Sequence, residues 1–118
     1  MAILAEDLTH EIERHRHWHR RLHHAVAAGQ CSVDPADARR DDNCEFGRWL
    51  REMSDAGHHH ARATELHRRF HLAAAHILEL ALSGRRPEAL ELLSAEGEYA
   101  GISAELMLEM TEWKKQLK

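Results

Sequence analysis

Four side chains in this sequence have the types and the spacing of a soft metal site: His15, Cys44, His67 and His71. His67 and His71 are four residues apart, so on a helix their rings lie on one face and can hold a single ion. Cys44 begins a short predicted helix, where the positive helix end and a nearby metal would both lower the pKa of its thiol. Three neutral imidazoles and one thiolate suit tetrahedral Zn²⁺ better than Mg²⁺ or Ca²⁺.

All four positions of this predicted zinc site are protein atoms, so the site is closed. Closed zinc sites are structural or regulatory, whereas a hydrolytic site keeps one position for water. The pair His67 and His71 also lacks the glutamate of a His-Glu-x-x-His motif. We therefore expect a regulatory protein and not an enzyme.

The elements that must position these donors are helices. Valine and threonine are scattered and no stretch alternates, whereas Ala, Leu, Glu, Arg and His dominate throughout. The periodicity predicts three long helices and one short helix, at about residues 3–28, 44–53, 59–82 and 87–117. With short connections, these helices predict an all-α, antiparallel four-helix bundle. At 118 residues the chain is expected to form a single domain, 1–118.

Helix ends and irregularities can also be predicted. Asp34-Pro35 indicates a turn or a short helix start within the connection 30–43. Ser83-Gly84 is expected to end the third helix. The apolar phase of the last helix drifts near Gly97 and Gly101, which predicts a bend or a close helix contact there.

The histidines of the first helix fall into two groups. At about 100° per residue, His15 shares the inward stripe with leucines and a valine, and His19 lies at its edge. A solvent-facing row repeats every seven residues and consists of His10, His17 and His24. His19 is therefore the competing candidate for the first-helix ligand.

The third helix presents an apolar face that includes the histidine pair. Its inward residues are Ala63, His67, Phe70, His71, Ala74, Leu78 and Ala81. A buried imidazole without a partner costs roughly 1–3 kcal/mol, and coordination would satisfy both rings. This position favours a metal site over a chance pair in a chain that contains twelve histidines.

Three motifs around the donors belong together. They are His-Arg-His-Trp-His-Arg-Arg-Leu at 15–22, Asp-Asn-Cys-Glu-Phe-Gly-Arg-Trp-Leu at 42–50, and Leu-His-Arg-Arg-Phe-His at 66–71. With the tail, where Gly97-Glu-Tyr99 precedes Trp113-Lys114, they resemble the chemoreceptor zinc-binding (CZB) domain of bacteria over nearly the whole chain. In that family one His of the first helix, one Cys and two His of the third helix hold one zinc. The resemblance implies His15, Cys44, His67 and His71 as the ligands.

The resemblance also implies a sensory function. The family tunes chemoreceptor signalling or cyclic-di-GMP synthesis in response to zinc availability, or to oxidants such as hypochlorous acid that act on the zinc-bound cysteine. It implies a signalling partner of the chemoreceptor or diguanylate cyclase type and a homodimer. No clean heptad pattern shows a dimer here, although exposed apolar residues such as Leu106, Met107 and Met110 would allow one. The chain carries no visible signalling or catalytic domain, so its output stays open.

Composition excludes several other classes. Sixteen Lys and Arg against twenty Asp and Glu give a net charge of -4, which provides no basic field for nucleic acid or acidic lipid. Two cysteines are too few for a disulfide framework. No apolar run approaches the roughly 18 residues that span a bilayer, and acids stand where a signal peptide would carry bases. We expect a cytoplasmic protein without a nucleic acid or membrane partner.

Two other functional classes compete with zinc sensing. A hemerythrin-like di-iron bundle that binds oxygen would use Glu11 and His19 with three of the proposed ligands, but bridging acids are missing from the later helices. The second alternative is a metal-free helical interaction module with a histidine-rich face.

The triplet His58 to His60 is interpreted as a solvated helix start in preference to a second, weak metal site. Cys31 is interpreted as a spare thiol, with a disulfide to Cys44 after oxidation as the alternative.

Overall fold

A computed structural model of the chain describes residues 5–30, 34–40, 44–52 and 57–117. Within these residues every regular element is an α-helix, which confirms the predicted all-α class. The helices are α1 (Ala5–Ala28), α2 (Pro35–Arg39), α3 (Glu45–Glu52), α4 (Gly57–Leu82), α5 (Arg86–Leu93) and α6 (Glu98–Gln116). Cys31, Met53 and the predicted start of the first helix at Ile3 lie outside the described residues. None of the described helices combines the length and apolarity needed to cross a bilayer.

Both predicted helix boundaries, at Asp34-Pro35 and at Ser83-Gly84, are confirmed. The Asp34 side chain accepts a hydrogen bond from the backbone N–H of Ala36 at 2.9 Å, and Pro35 occupies the first turn of α2. α4 ends at Leu82, and Gly84 follows with a φ of 81°. Glycine adopts this left-handed conformation without strain, so it stops the helix efficiently.

The prediction of one continuous last helix was wrong, because the helical conformation is interrupted between α5 and α6. Gly97 lies so close to the end of α5 that a Cβ there would meet the carbonyl carbon of Leu92 at 2.8 Å. A Cβ at Gly101, by contrast, would contact nothing within 4 Å. The expected close contact therefore exists at Gly97 and not at Gly101. At this position the helix is interrupted completely, whereas a bend was predicted.

α4 is the central helix and contacts each of the other five, while α1 also packs on α5 and α6. One apolar core receives residues from all six helices, including Leu8, Phe46, Phe70 and Tyr99. α2 lies within the predicted connection, and α5 is the separated first part of the predicted last helix, so a simple four-helix bundle is not confirmed.

The apolar residues of α6 are not distributed as expected. Leu106 and Met110 were predicted to be exposed, but both are completely buried, and Met107 is half-buried. Leu108 is the exposed leucine of this helix, with 62% of its surface accessible. The apolar surface available on α6 is therefore smaller than the sequence suggested.

Candidate metal centre

The structure brings all four predicted ligands together. His15 comes from α1, Cys44 directly precedes α3, and His67 and His71 lie one turn apart on α4. One donor atom from each residue lies within 4.8 Å of the other three. The three histidines are buried and the cysteine is half-buried. The set is compatible with a metal ion.

Three of the six separations between donor atoms match those around a tetrahedral ion, and all six are within 4.8 Å. The Nε2 atom of His67 lies 3.1 Å from that of His15 and 3.0 Å from that of His71. The Sγ atom of Cys44 lies 3.7 Å from the Nε2 atom of His15. Zinc bonds of ordinary length predict separations of about 3.3 Å between nitrogens and about 3.6 Å between nitrogen and sulfur. The observed distances agree within a few tenths of an ångström.

Backbone carbonyls orient two of the imidazoles. His15 Nδ1–H donates to the carbonyl of Glu11 at 2.7 Å, and His71 Nδ1–H donates to the carbonyl of Ala38 at 2.9 Å. Because a carbonyl only accepts, the proton of each neutral ring lies on Nδ1, and the Nε2 lone pair faces the centre. Sequence reasoning missed both acceptors. The Glu11 carbonyl lies one turn before His15, but no local signal places α2 beside α4.

His67 supplies the clearest sign that the centre is built for a cation. Its Nδ1 atom is buried and has no hydrogen-bond partner among the described residues. Its Nε2 atom lies about equally far from the two lone pairs of His15 and His71. One proton on that nitrogen can be donated to only one of them. A cation would accept all three lone pairs at once. The carbonyl-oriented rings of His15 and His71 have the usual form of metal ligands, whereas the Nδ1–H of a coordinated His67 would have no acceptor among the described residues.

Burial keeps the imidazoles in the form that coordinates. Burial, with a smaller contribution from the nearby His71, lowers the pKa of His15 to about 4. Burial likewise holds the pKa of His67 well below its ordinary value. Both rings are therefore neutral at pH 7 and need not lose a proton before they bind a metal.

The thiol of Cys44 behaves differently from the expectation drawn from its helix position. The backbone N–H groups of Phe46 and Gly47, at the start of α3, do act to lower its pKa. Burial is the larger effect, however, and the net result is a raised pKa for Cys44. Without a metal the residue is a thiol at neutral pH, so metal binding must release its proton.

A cleft of about 610 Å³ opens onto the centre. Its lining includes Cys44, His15 and His71 from the donor set, together with Trp18, Arg14 and Arg21. The Arg21 guanidinium lies 4.9 Å above the Trp18 ring, whose edge meets His71 at a centroid distance of 6.1 Å. Trp18 therefore packs beside the donor set. The cleft therefore reaches three of the four donor residues.

The competing candidates do not join the centre. His19 is exposed and pairs with His23, so His15 is the α1 residue in the donor set. The Glu11 carboxylate is buried, with Oε1 4.0 Å from His15 Nδ1, but it is not one of the four donors. The four-residue group therefore contains no carboxylate, which a di-iron centre would require.

The three histidines at the start of α4 do not form a common site either. His58 is exposed, and His59 pairs with the Glu109 carboxylate. His60 Nε2–H donates to the Leu50 carbonyl at 2.6 Å. No second group of three or more metal-binding side chains occurs in the part of the chain that the structure describes.

Comparison with protein-family models, curated proteins and solved structures gave no match to this chain.

Proposed function

We propose that this chain is a regulatory domain in which His15, Cys44, His67 and His71 bind one Zn²⁺ ion, and that it is not an enzyme. The observation that carries this proposal is the convergence of one donor atom from each of the four residues within 4.8 Å of the others, with three of the pairs at 3.0–3.7 Å. Three imidazoles and one thiolate favour zinc over the hard ions that prefer oxygen ligands.

The arrangement supports a tether mechanism. Cys44 is attached to α3, a helix of eight residues, whereas the three histidines belong to the long helices α1 and α4. In the zinc-bound state the Cys44 thiolate would link the start of α3 to both long helices. Loss of the metal would leave α3 held by Phe46 and Leu50 in the core and by peripheral contacts. A partner could then recognise the changed position of α3.

Cys44 is also the ligand most open to chemical attack. It is the half-buried member of the set and it lines the cleft. A two-electron oxidant such as hypochlorous acid would transfer oxygen to the thiolate, giving a cysteine sulfenic acid and releasing chloride. A sulfenic acid is a poorer ligand than a thiolate, so this oxidation would have the same effect as metal loss.

The resemblance of the motifs to the chemoreceptor zinc-binding domain supports a bacterial signalling context. In this proposal α1, α3, α4 and α6 are the four helices of the family's bundle, within a single domain of residues 1–118. The partner would be a chemoreceptor or a diguanylate cyclase, and two copies of the chain would associate as a homodimer.

Metal analysis and chelator competition test the zinc site directly. We expect one zinc per chain, and a zinc affinity at least tenfold weaker in Cys44→Ala. His24→Ala is the matched control, because it removes an exposed histidine of the same helix as His15. The proposal is wrong if Cys44→Ala binds zinc as tightly as the parent chain.

The same samples separate the two other classes. Visible absorption with two irons per chain would indicate a di-iron oxygen-binding bundle. Absence of stoichiometric metal, with a melting temperature that a chelator leaves unchanged, would indicate a metal-free interaction module. Both outcomes contradict the zinc proposal.

A further inference from the structure

We propose that His19 and His23, on the exposed surface of α1, form a second metal site that is independent of the buried centre. The site would take a borderline divalent ion such as Ni²⁺, Cu²⁺ or Zn²⁺. Two imidazoles supply the protein ligands, and water completes the coordination.

The geometry of the two rings carries this inference. Their Nε2 atoms lie 3.1 Å apart, and their ring centroids are 4.5 Å apart with an interplanar angle of 77°. With metal–nitrogen bonds of ordinary length, this separation corresponds to a nitrogen–metal–nitrogen angle of about 100°. That angle lies between the values of square-planar and tetrahedral coordination, so the pair suits the ions that imidazole prefers.

The same arrangement occurs in the buried centre. His67 and His71 are also four residues apart on a helix, with Nε2 atoms 3.0 Å apart, ring centroids 4.5 Å apart and an interplanar angle of 74°. The exposed pair therefore has nearly the same nitrogen separation, centroid distance and interplanar angle as the buried pair. If the buried spacing suits a metal ion, the spacing of His19 and His23 suits one equally.

The ring of His19 is held in place by the core. It stacks on the ring of Tyr99 with an interplanar angle of 14° and a centroid distance of 6.1 Å. Tyr99 is almost completely buried and also packs against Phe70. One ligand of the pair is therefore pre-organised, which reduces the entropy lost when a metal binds.

A hydrogen bond between the two rings would be a weak reason for this geometry. Both side chains are exposed, so water competes for the bond. The net contribution of such a bond is ordinarily about 0.5–1.5 kcal/mol. With two ligands and no thiolate, the exposed site should bind more weakly than the buried one, and it should exchange its metal with solvent freely.

The test uses the full chain loaded with one equivalent of Zn²⁺ and then titrated with Ni²⁺, with calorimetry and metal analysis as the readouts. We expect one further ion per chain. His19→Ala, His23→Ala and the double variant should each weaken Ni²⁺ binding by roughly tenfold or more. His17→Ala combined with His24→Ala is the control, since it removes two exposed histidines of the same helix that are not four residues apart.

The inference is overturned if the double variant binds Ni²⁺ like the parent, or if the control loses as much affinity. Cys44→Ala distinguishes this site from the buried one. We expect that variant to lose zinc affinity while its Ni²⁺ affinity at His19 and His23 stays unchanged. Loss of both together would show that the sites are not independent, whereas a parent chain that binds Ni²⁺ but no zinc would reject only the proposed function.

Discussion

The Nε2 atoms of His15 and His67 lie 3.1 Å apart, although 52 residues separate them in the sequence. This contact joins α1 to α4 at the middle of the candidate centre, and the rings meet edge to face with centroids 5.1 Å apart. Two buried imidazole nitrogens at this distance need a shared proton or a shared cation. The stability of the helix packing and the state of the centre are therefore coupled.

Acid should destabilise the metal-free chain as a result of this coupling. Burial lowers the pKa of His15 to about 4 from an ordinary 6.5, and it lowers that of His67 in the same direction. As the pH falls, these histidines are therefore protonated in the unfolded chain before they are protonated in the folded chain. The free energy of unfolding that is present above pH 6.5 is lost as the pH falls toward 4. For His15 this loss is on the order of 3 kcal/mol in full. Urea unfolding at pH 6.5 and pH 5, with a chelator present, measures it.

One buried carboxyl acts in the opposite direction. Burial raises the pKa of Glu11, opposed mainly by Arg14, so protonation of this group favours the folded chain as the pH falls. His15→Gln should reduce the pH dependence that the buried histidines cause, whereas His24→Ala should not. A metal-free chain that is equally stable at both pH values would contradict the prediction.

His60 should stabilise the helix that carries the cysteine ligand. It donates to the Leu50 carbonyl in the last turn of α3 and meets the Trp113 ring edge to face at 6.2 Å. We expect His60→Ala to lower the free energy of unfolding by about 1–2 kcal/mol and to weaken zinc binding. His58→Ala, at an exposed neighbouring position, should change stability by less than about 0.5 kcal/mol. Equal effects of the two variants would exclude this role for His60.

The two glycines near the start of α6 should respond oppositely to alanine. Gly97→Ala places a methyl group 2.8 Å from the Leu92 carbonyl carbon, so the turn between α5 and α6 must shift. We expect a loss of about 1–3 kcal/mol in unfolding free energy. Gly101→Ala meets no neighbour within 4 Å and should stabilise the helix by roughly 0.5–1 kcal/mol. Thermal unfolding of both variants checks the prediction, which fails if Gly97→Ala is as stable as the parent.

The sequence by itself determined the helical class, most helix ends and three residues of the donor set, Cys44, His67 and His71. These features depend on local chemistry. The spacing of His67 and His71 places both rings on one face of any helix, and Asp34-Pro35 and Ser83-Gly84 act on the backbone next to them. Predictions of this kind hold because they require no knowledge of what packs against the helix.

The tertiary structure decided which of two histidines one helical turn apart, His15 or His19, points inward. His15 and His19 are only about 40° apart around α1, so periodicity alone could not separate them. Phe46 and Phe70 cover His15, whereas Tyr99 stacks on His19 and leaves its ring exposed beside His23. The Ala38 carbonyl that orients His71 also depended on packing, because α2 and α4 are far apart in the chain. Local periodicity limits a side chain to an arc of the helix, and only the neighbouring helices decide which part of that arc is buried.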